Sequence, residues 1–249
     1  MTSYNCQRIG HGGASAVQPA NTLASFDAAL EIGVDMVEFD VRAWRGELVL
    51  AHTVLDAGRG GNVRLREALE HLSSRRFGGI GLNVDVKHVG CESALLDGLR
   101  RAGLLERTLV SCQVPAVLDR VRALEPRARV GISIGGRLAR LSRRWSDWRT
   151  QVLSGLAARR WDVLMVQHRL VEADLLEDVT SRSGLLYAWT VNERRAIDRL
   201  RALGVHGIAT ADPRLFGLAS SRAVDAYAAA RPGDLLVASP VAALANPHF

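Results

Sequence analysis

The sequence predicts a closed barrel of eight parallel strands alternating with helices: an α/β fold, the (β/α)8 TIM barrel, with a β-hairpin after its second strand and no sizeable cap insertion. Three observations predict it. Short apolar, β-branched runs alternate with amphipathic stretches along the chain. Its 249 residues suffice to bury one large core. No Gly/Ser-rich linker or composition shift divides it before about Pro232. An open doubly wound sheet is the alternative fold, and two smaller domains also fit the length.

The first strand runs over 8–11 and ends on His11, and helical spacing of apolar residues follows over 23–30. The second strand, 36–41, carries Glu38 and Asp40. A further strand-like run at 47–52 is separated from Val41 by only five residues. A parallel crossover needs roughly a dozen or more, so this run folds back as a hairpin turning near Arg45 and Gly46. That reversal brings His52 opposite the stretch from Glu38 to Asp40. The remaining strands are expected over 82–86, 109–112, 130–134, 163–166, 185–191 and 207–210. Helices are expected over 65–72, 95–102, 116–124, 172–179 and 194–203. Repetition of strand, helix and strand argues for parallel βαβ units. The barrel domain is assigned to 1–231 and an irregular tail to 232–249.

Apolar residues at 48% and charged residues at 23% describe an ordinary globular protein and exclude a fibrous or disordered one. The first eight residues lack a basic stretch followed by an apolar core, and no apolar run reaches 18 residues, so a cytoplasmic location is expected. Cys6, Cys91 and Cys112 have neither metal-ligand nor CxxC spacing and read as buried or incidental thiols. The net charge of +6 suits an anionic substrate, a nucleic acid or an acidic membrane surface. Arg137, Arg140, Arg143, Arg144 and Arg149, interleaved with Trp145 and Trp148, could touch a membrane at the barrel mouth. A solvated helix with inward tryptophans is the plainer reading, and nucleic acid is not expected as a partner.

Strand ends carry the reacting groups of such barrels. His11 ends the first strand, Glu38 and Asp40 point to one face of the second because side chains alternate, and Asp85 and Lys87 end the third. Three carboxylates gathered without a compensating cation repel, so a hard divalent ion or a shifted proton is expected among them. All-oxygen ligation favours Mg²⁺ or Ca²⁺ over zinc. Taken singly, each carboxylate could instead be a solvated edge and each histidine a turn or strand-end residue. Lys87 adds weight, since it is the one lysine among 32 cationic residues. A compact ammonium suits a phosphate oxygen beside a metal better than the planar guanidinium does.

These residues fall into motifs that resemble the glycerophosphodiester phosphodiesterases, a barrel family whose fold is shared by the phospholipase D toxins of spider venom. The family's His-Arg-Gly looks like His11-Gly12-Gly13, and its Pro-Glu-Asn-Thr like Pro19-Ala20-Asn21-Thr22. Its Glu-x-Asp is Glu38-Phe39-Asp40, its His-Asp is His52-Thr53, and its Glu-x-Lys is Asp85-Val86-Lys87. Trp189-Thr190-Val191-Asn192 and the pattern at 204–210 continue the match.

The resemblance implies a phosphoric diester hydrolase acting on a glycerophosphodiester or lysophospholipid. By it His11 and His52 are the general acid–base pair, and Glu38, Asp40 and Asp85 hold one Mg²⁺ or Ca²⁺. Lys87 binds a non-bridging phosphate oxygen and Trp189 floors the pocket. The attacking hydroxyl can be the substrate's own, giving a cyclic phosphate as a lyase does, or water.

Gly12 and Ala20 stand where the family has arginine and glutamate, a paired change that strands no buried charge. The venom enzymes also lack that arginine and use aspartate at the position of Asp85. The family's cap insertion after its His-Asp is essentially absent, which implies an open mouth. A catalytically silent phosphate- or lipid-binding barrel is the alternative of another class, opposed by the intact histidines and carboxylates. Transient contact with an anionic membrane is a further expectation.

Overall fold

The computed structural model of the protein describes residues 6–135 and 147–217. Arg137, Arg140, Arg143, Arg144 and Trp145, and the tail at 232–249, lie outside the described residues. The strands are β1 (Gln7–His11), β2 (Met36–Trp44), β3 (Glu47–Leu50), β4 (Gly81–Val86), β5 (Thr108–Cys112), β6 (Arg129–Ile134), β7 (Val163–Gln167), β8 (Leu185–Trp189) and β9 (Gly207–Thr210). Eight of them are parallel and close into a barrel, because β1 pairs with both β9 and β2. The ninth, β3, runs antiparallel on β2.

Among the described residues, eight α-helices accompany them: α1 (Leu23–Ile32), α2 (Val54–Gly58), α3 (Leu65–Leu72), α4 (Glu92–Arg101), α5 (Pro115–Leu124), α6 (Trp148–Ala157), α7 (Ala173–Thr180) and α8 (Arg194–Leu203). Among the described residues, none is long and apolar enough to cross a membrane.

Period-2 alternation divides the core into two layers. Side chains facing out of the barrel, such as Val37, Phe39, Leu82 and Val84, meet Phe26, Leu69, Leu95 and other residues of the surrounding helices. Those facing inward, Ile9, Met36, Leu109, Val163, Met165, Tyr187 and Ala209, fill the barrel itself. Burial on both faces is why the strands read as nearly continuous apolar runs. Each fully buried large aliphatic side chain contributes about 1.5–3 kcal/mol. The barrel is therefore a packed plug, open to chemistry only at its rim.

The hairpin forms as its spacing predicts. Arg45 (φ 50°) and Gly46 (φ 81°) make the two-residue turn, with Trp44 paired to Glu47 and Val41 to Leu50. Beyond it, residues 53–63 insert no cap. They hold only the five-residue α2 and return to the hairpin, where the Leu50 N–H donates to the Val63 carbonyl at 2.8 Å. Thr53 caps α2, its hydroxyl accepting the Asp56 N–H at 3.1 Å. That accounts locally for the threonine that follows His52.

Several boundaries shift from the sequence reading, β2 running on to Trp44 and β3 ending at Leu50, and two helices, α2 and α6, are absent from it. β8 stops at Trp189 rather than 191, because the chain turns there to bring Thr190 toward His11, 3.5 Å from its Nε2. Trp148 and Arg149 open a regular helix, α6, that periodicity alone does not mark. Trp148 packs against the core, and Arg149 forms ion pairs with Asp174 and Asp178 of α7 at 2.8 and 2.6 Å. For these two residues the plainer reading holds: a surface helix with its tryptophan turned inward.

Candidate active site

Three adjacent strands build the rim. Register sets His11 beside Glu38 and Asp40 beside Asp85, all on barrel-facing positions at the C-terminal end. Oxygens of Glu38, Asp40 and Asp85 lie within 4.8 Å of one another. The hairpin delivers His52, whose Nδ1 is 3.2 Å from Asp40 Oδ1. Lys87 Nζ is 3.1 Å from Asp40 Oδ1 and donates a short hydrogen bond to Asp85 Oδ2. His11 Nε2 is 3.9 Å from Glu38 Oε2. Six of the residues singled out from sequence thus converge.

Trp189, the seventh, ends β8 across the barrel, partly buried against the inner cluster, with its indole Nε1 buried and without a hydrogen-bond acceptor. The ring packs close to Gly135 at the end of β6.

Positioning groups surround the carboxylates. Asn21, at φ 61°, clamps Asp40 twice: its Nδ2 donates to Asp40 Oδ2 and its Oδ1 accepts the Asp40 N–H, both at 2.9 Å. The Gly12 N–H donates to Glu38 Oε2 at 2.7 Å, and Ser111 Oγ to Asp85 Oδ1 at 3.2 Å. Sequence reasoning quoted Asn21 within a motif without giving it a role. Its left-handed backbone, which asparagine tolerates better than most residues, is invisible before folding. Asn83 was missed entirely. It is fully buried on the inward face of β4, beside Glu38 in register, and neither amide atom has a partner. A lone amide within an otherwise apolar strand was the available signal.

Gly12 lies at φ 61°, and a Cβ there would come within 3.1 Å of Ala20 Cβ. The two departures from the family pattern are therefore spatial neighbours, as a paired change requires.

Burial pushes Glu38 well above the usual carboxylate range, reinforced by the charges of Asp40 and Asp85. It raises Asp85 too, against the opposing pull of Lys87. Asp40 goes the other way: burial alone would raise it, but His52, Lys87 and Asn21 together hold it well below the ordinary value. Burial would lower Lys87, yet Asp85 and Asp40 outweigh it and raise the ammonium's pKa. The histidines separate. Burial lowers His11, whereas the hydrogen bond to Asp40 raises His52. Environments that drive two titratable groups apart create one base and one acid near neutrality.

A divalent cation fits this donor set. Three hard oxygen ligands with one ammonium leave two negative charges uncompensated when all are ionised, and the unpaired Asn83 amide lies beside them. The thiols are outside this chemistry: Cys6, Cys91 and Cys112 are free, and burial pushes Cys112 up to about 11.

A parallel barrel with an acidic cluster, a lysine and an unlike histidine pair at its strand ends is the layout of a barrel hydrolase. More particularly, the chain belongs to the glycerophosphoryl diester phosphodiesterase family, a family of phosphoric diester hydrolases, whose profile matches residues 11–78 and 80–215. It is 25% identical over 241 residues to a glycerophosphodiester phosphodiesterase of Caldanaerobacter subterraneus subsp. tengcongensis, covering 82% of this chain and 93% of that one. Among solved structures it is similar to a glycerophosphodiester phosphodiesterase from Parabacteroides distasonis (TM-score 0.70, 19% identity, 85% of this chain and 95% of that one). An Oleispira antarctica phosphodiesterase solved in complex with the product sn-glycerol-3-phosphate is also similar (TM-score 0.67, 21% identity, 84% and 94%).

Proposed function

We propose that the protein hydrolyses a phosphodiester of the glycerophosphodiester or lysophospholipid class, releasing an alcohol, with one Mg²⁺ or Ca²⁺ held by Glu38, Asp40 and Asp85. The observation carrying this reading is the convergence of His11, His52 and Lys87 on three carboxylates whose oxygens lie within 4.8 Å. The relative named a glycerophosphodiester phosphodiesterase and the neighbour solved with sn-glycerol-3-phosphate support the substrate class.

When bound, a cation held by Glu38, Asp40 and Asp85 would supply charge neutralisation for the phosphate. His11, kept neutral by burial, accepts the proton of the attacking hydroxyl as its oxygen bonds to phosphorus. His52, kept protonated by Asp40, donates to the leaving alcohol oxygen as the P–O bond breaks. Lys87 binds a non-bridging oxygen, and Trp189 walls the far side. Water as attacker gives a linear monoester. Phosphorus NMR of product formed from glycerophosphocholine and lysophosphatidylcholine, with and without chelator, tests the reading. Metal-dependent release of a monoester is expected, and turnover that survives both chelation and His11→Ala rules it out.

A second reading is favoured by Gly12, Ala20, Asp85 and the uncapped mouth: attack by the substrate's own neighbouring hydroxyl, forming a cyclic phosphate as in the venom-type enzymes. A persistent cyclic phosphorus signal identifies it. A silent binding barrel has no use for two histidines driven apart in acidity, and total inactivity on both glycerophosphocholine and lysophosphatidylcholine is its signature.

A further inference from the structure

Among the described residues, apolar exposure is concentrated at the C-terminal end of the barrel. Among the described residues, the large hydrophobics most open to solvent are Val17, Val54, Leu55, Val89 and Val114, 40 to 77% exposed. All five sit on segments at the C-terminal rim of the barrel. Val17 belongs to the segment after β1, where the Ala16 N–H donates to the Ala211 carbonyl just past β9. Val54 and Leu55 open α2, two and three residues beyond His52. Val89 and Val114 follow β4 and β5 and form the lip of a cleft of about 300 Å³ that also reaches Arg42, His52 and Lys87. Apart from Val54 and Leu55 on the rim helix α2, the described helices and the opposite end of the barrel carry no comparable residue.

We infer that this arc of aliphatic tips docks the mouth of the barrel onto an anionic phospholipid surface. Isolated side chains on separate loops do not make the contiguous patch of roughly 800 Å² per partner that a protein interface packs. They do suit shallow insertion among acyl chains, which demands no fixed complementary shape. A protein seated on the arc would also cover the opening between β1 and β5, whereas a lipid layer presents its headgroups to it. The net charge of +6 selects an anionic layer. A singly exposed aliphatic is ordinary on a folded protein; that all five sit at the rim where the cleft opens is what points to a docked mouth.

Vesicle flotation tests the inference without turnover, so its outcome is separate from that of the hydrolysis reading. The full chain is mixed with vesicles of phosphatidylcholine alone or with phosphatidylglycerol added. Wild type is expected to float with the anionic vesicles. The pair Val17→Glu and Leu55→Glu, or Leu55→Glu alone, lowers binding, about tenfold for the pair. A control with the same charge change at the opposite end, Arg101→Gln with Arg127→Gln, loses about twofold or less. Hydrolysis of a water-soluble diester by all of them stays at the wild-type rate. Wild type left in solution with anionic vesicles, Leu55→Glu that floats like wild type, or a control that loses as much as the pair, overturns the docking surface.

Discussion

At the same height in one barrel, the arc from β1 to β4 and the arc from β6 to β8 are built on opposite principles. The first buries ionisable groups and pairs nearly every one: Asp40 alone is held by Asn21, His52 and Lys87. At their mouth ends β6, β7 and β8 carry Ser133, Gln167 and Trp189 instead, with no ionisable group. The difference teaches that buried charge gathers, among the described residues, on strands the hairpin can cross-brace, while the other arc contributes shape. Eight equivalent strands do not make eight equivalent subsites.

The comparison breaks most visibly if charge and shape are removed in turn. Chelation or His11→Ala is expected to lower kcat by about 10²–10⁴ in a diester assay. Trp189→Ala should chiefly raise KM, by about tenfold or less; equal kcat losses from the two arcs would erase the distinction drawn here. Next, Asn21→Ala removes two hydrogen bonds from a buried carboxylate. Activity should fall about 10–100-fold and stability by about 1–3 kcal/mol, read by titrating metal dependence and by denaturant melts. Added Mg²⁺ at a hundred times its Kd should stabilise the fold by about 2.7 kcal/mol, seen calorimetrically. Because burial raises Glu38 and Asp85, binding must displace protons, so metal affinity increases with pH.

Acidity gives a gentler test. The proposed mechanism needs a neutral His11, which burial lowers, and a protonated His52, which Asp40 raises. Rates should therefore be maximal around the ordinary histidine value of about 6.5. They decline as pH falls through the His11 value and again as it rises through the His52 value. A profile that climbs steadily to pH 9 contradicts the assignment. The smallest effect is expected from Thr53→Ala, about 1 kcal/mol through the lost α2 cap, with a modest kcat change as His52 loosens.

Much of the acidic arc was legible before folding, because two simple rules generate it: alternation places Glu38 with Asp40, and a five-residue connection forces the hairpin that returns His52. What escaped depends on tertiary approach. α6 contains Gly155, which reads as a helix breaker, yet the helix needs it: a Cβ there would meet the Trp161 ring at 2.3 Å. The short α2 is too brief for periodicity and rests on one cap. Asn21 acts across 19 residues of sequence through a backbone that only the folded loop reveals. Pairing between distant loops, rather than pattern within one element, is what sequence spacing does not encode.

Lys87 sits between Asp40 and Asp85 and is the chain's one lysine. Protein grown with lysine enriched in ¹³C at the ε position should give a single side-chain resonance, arising among the clustered carboxylates. Titrations with cation, phosphate or lipid would then report on one ammonium without spectral assignment or mutagenesis, making an unusual amino-acid usage into a built-in spectroscopic probe.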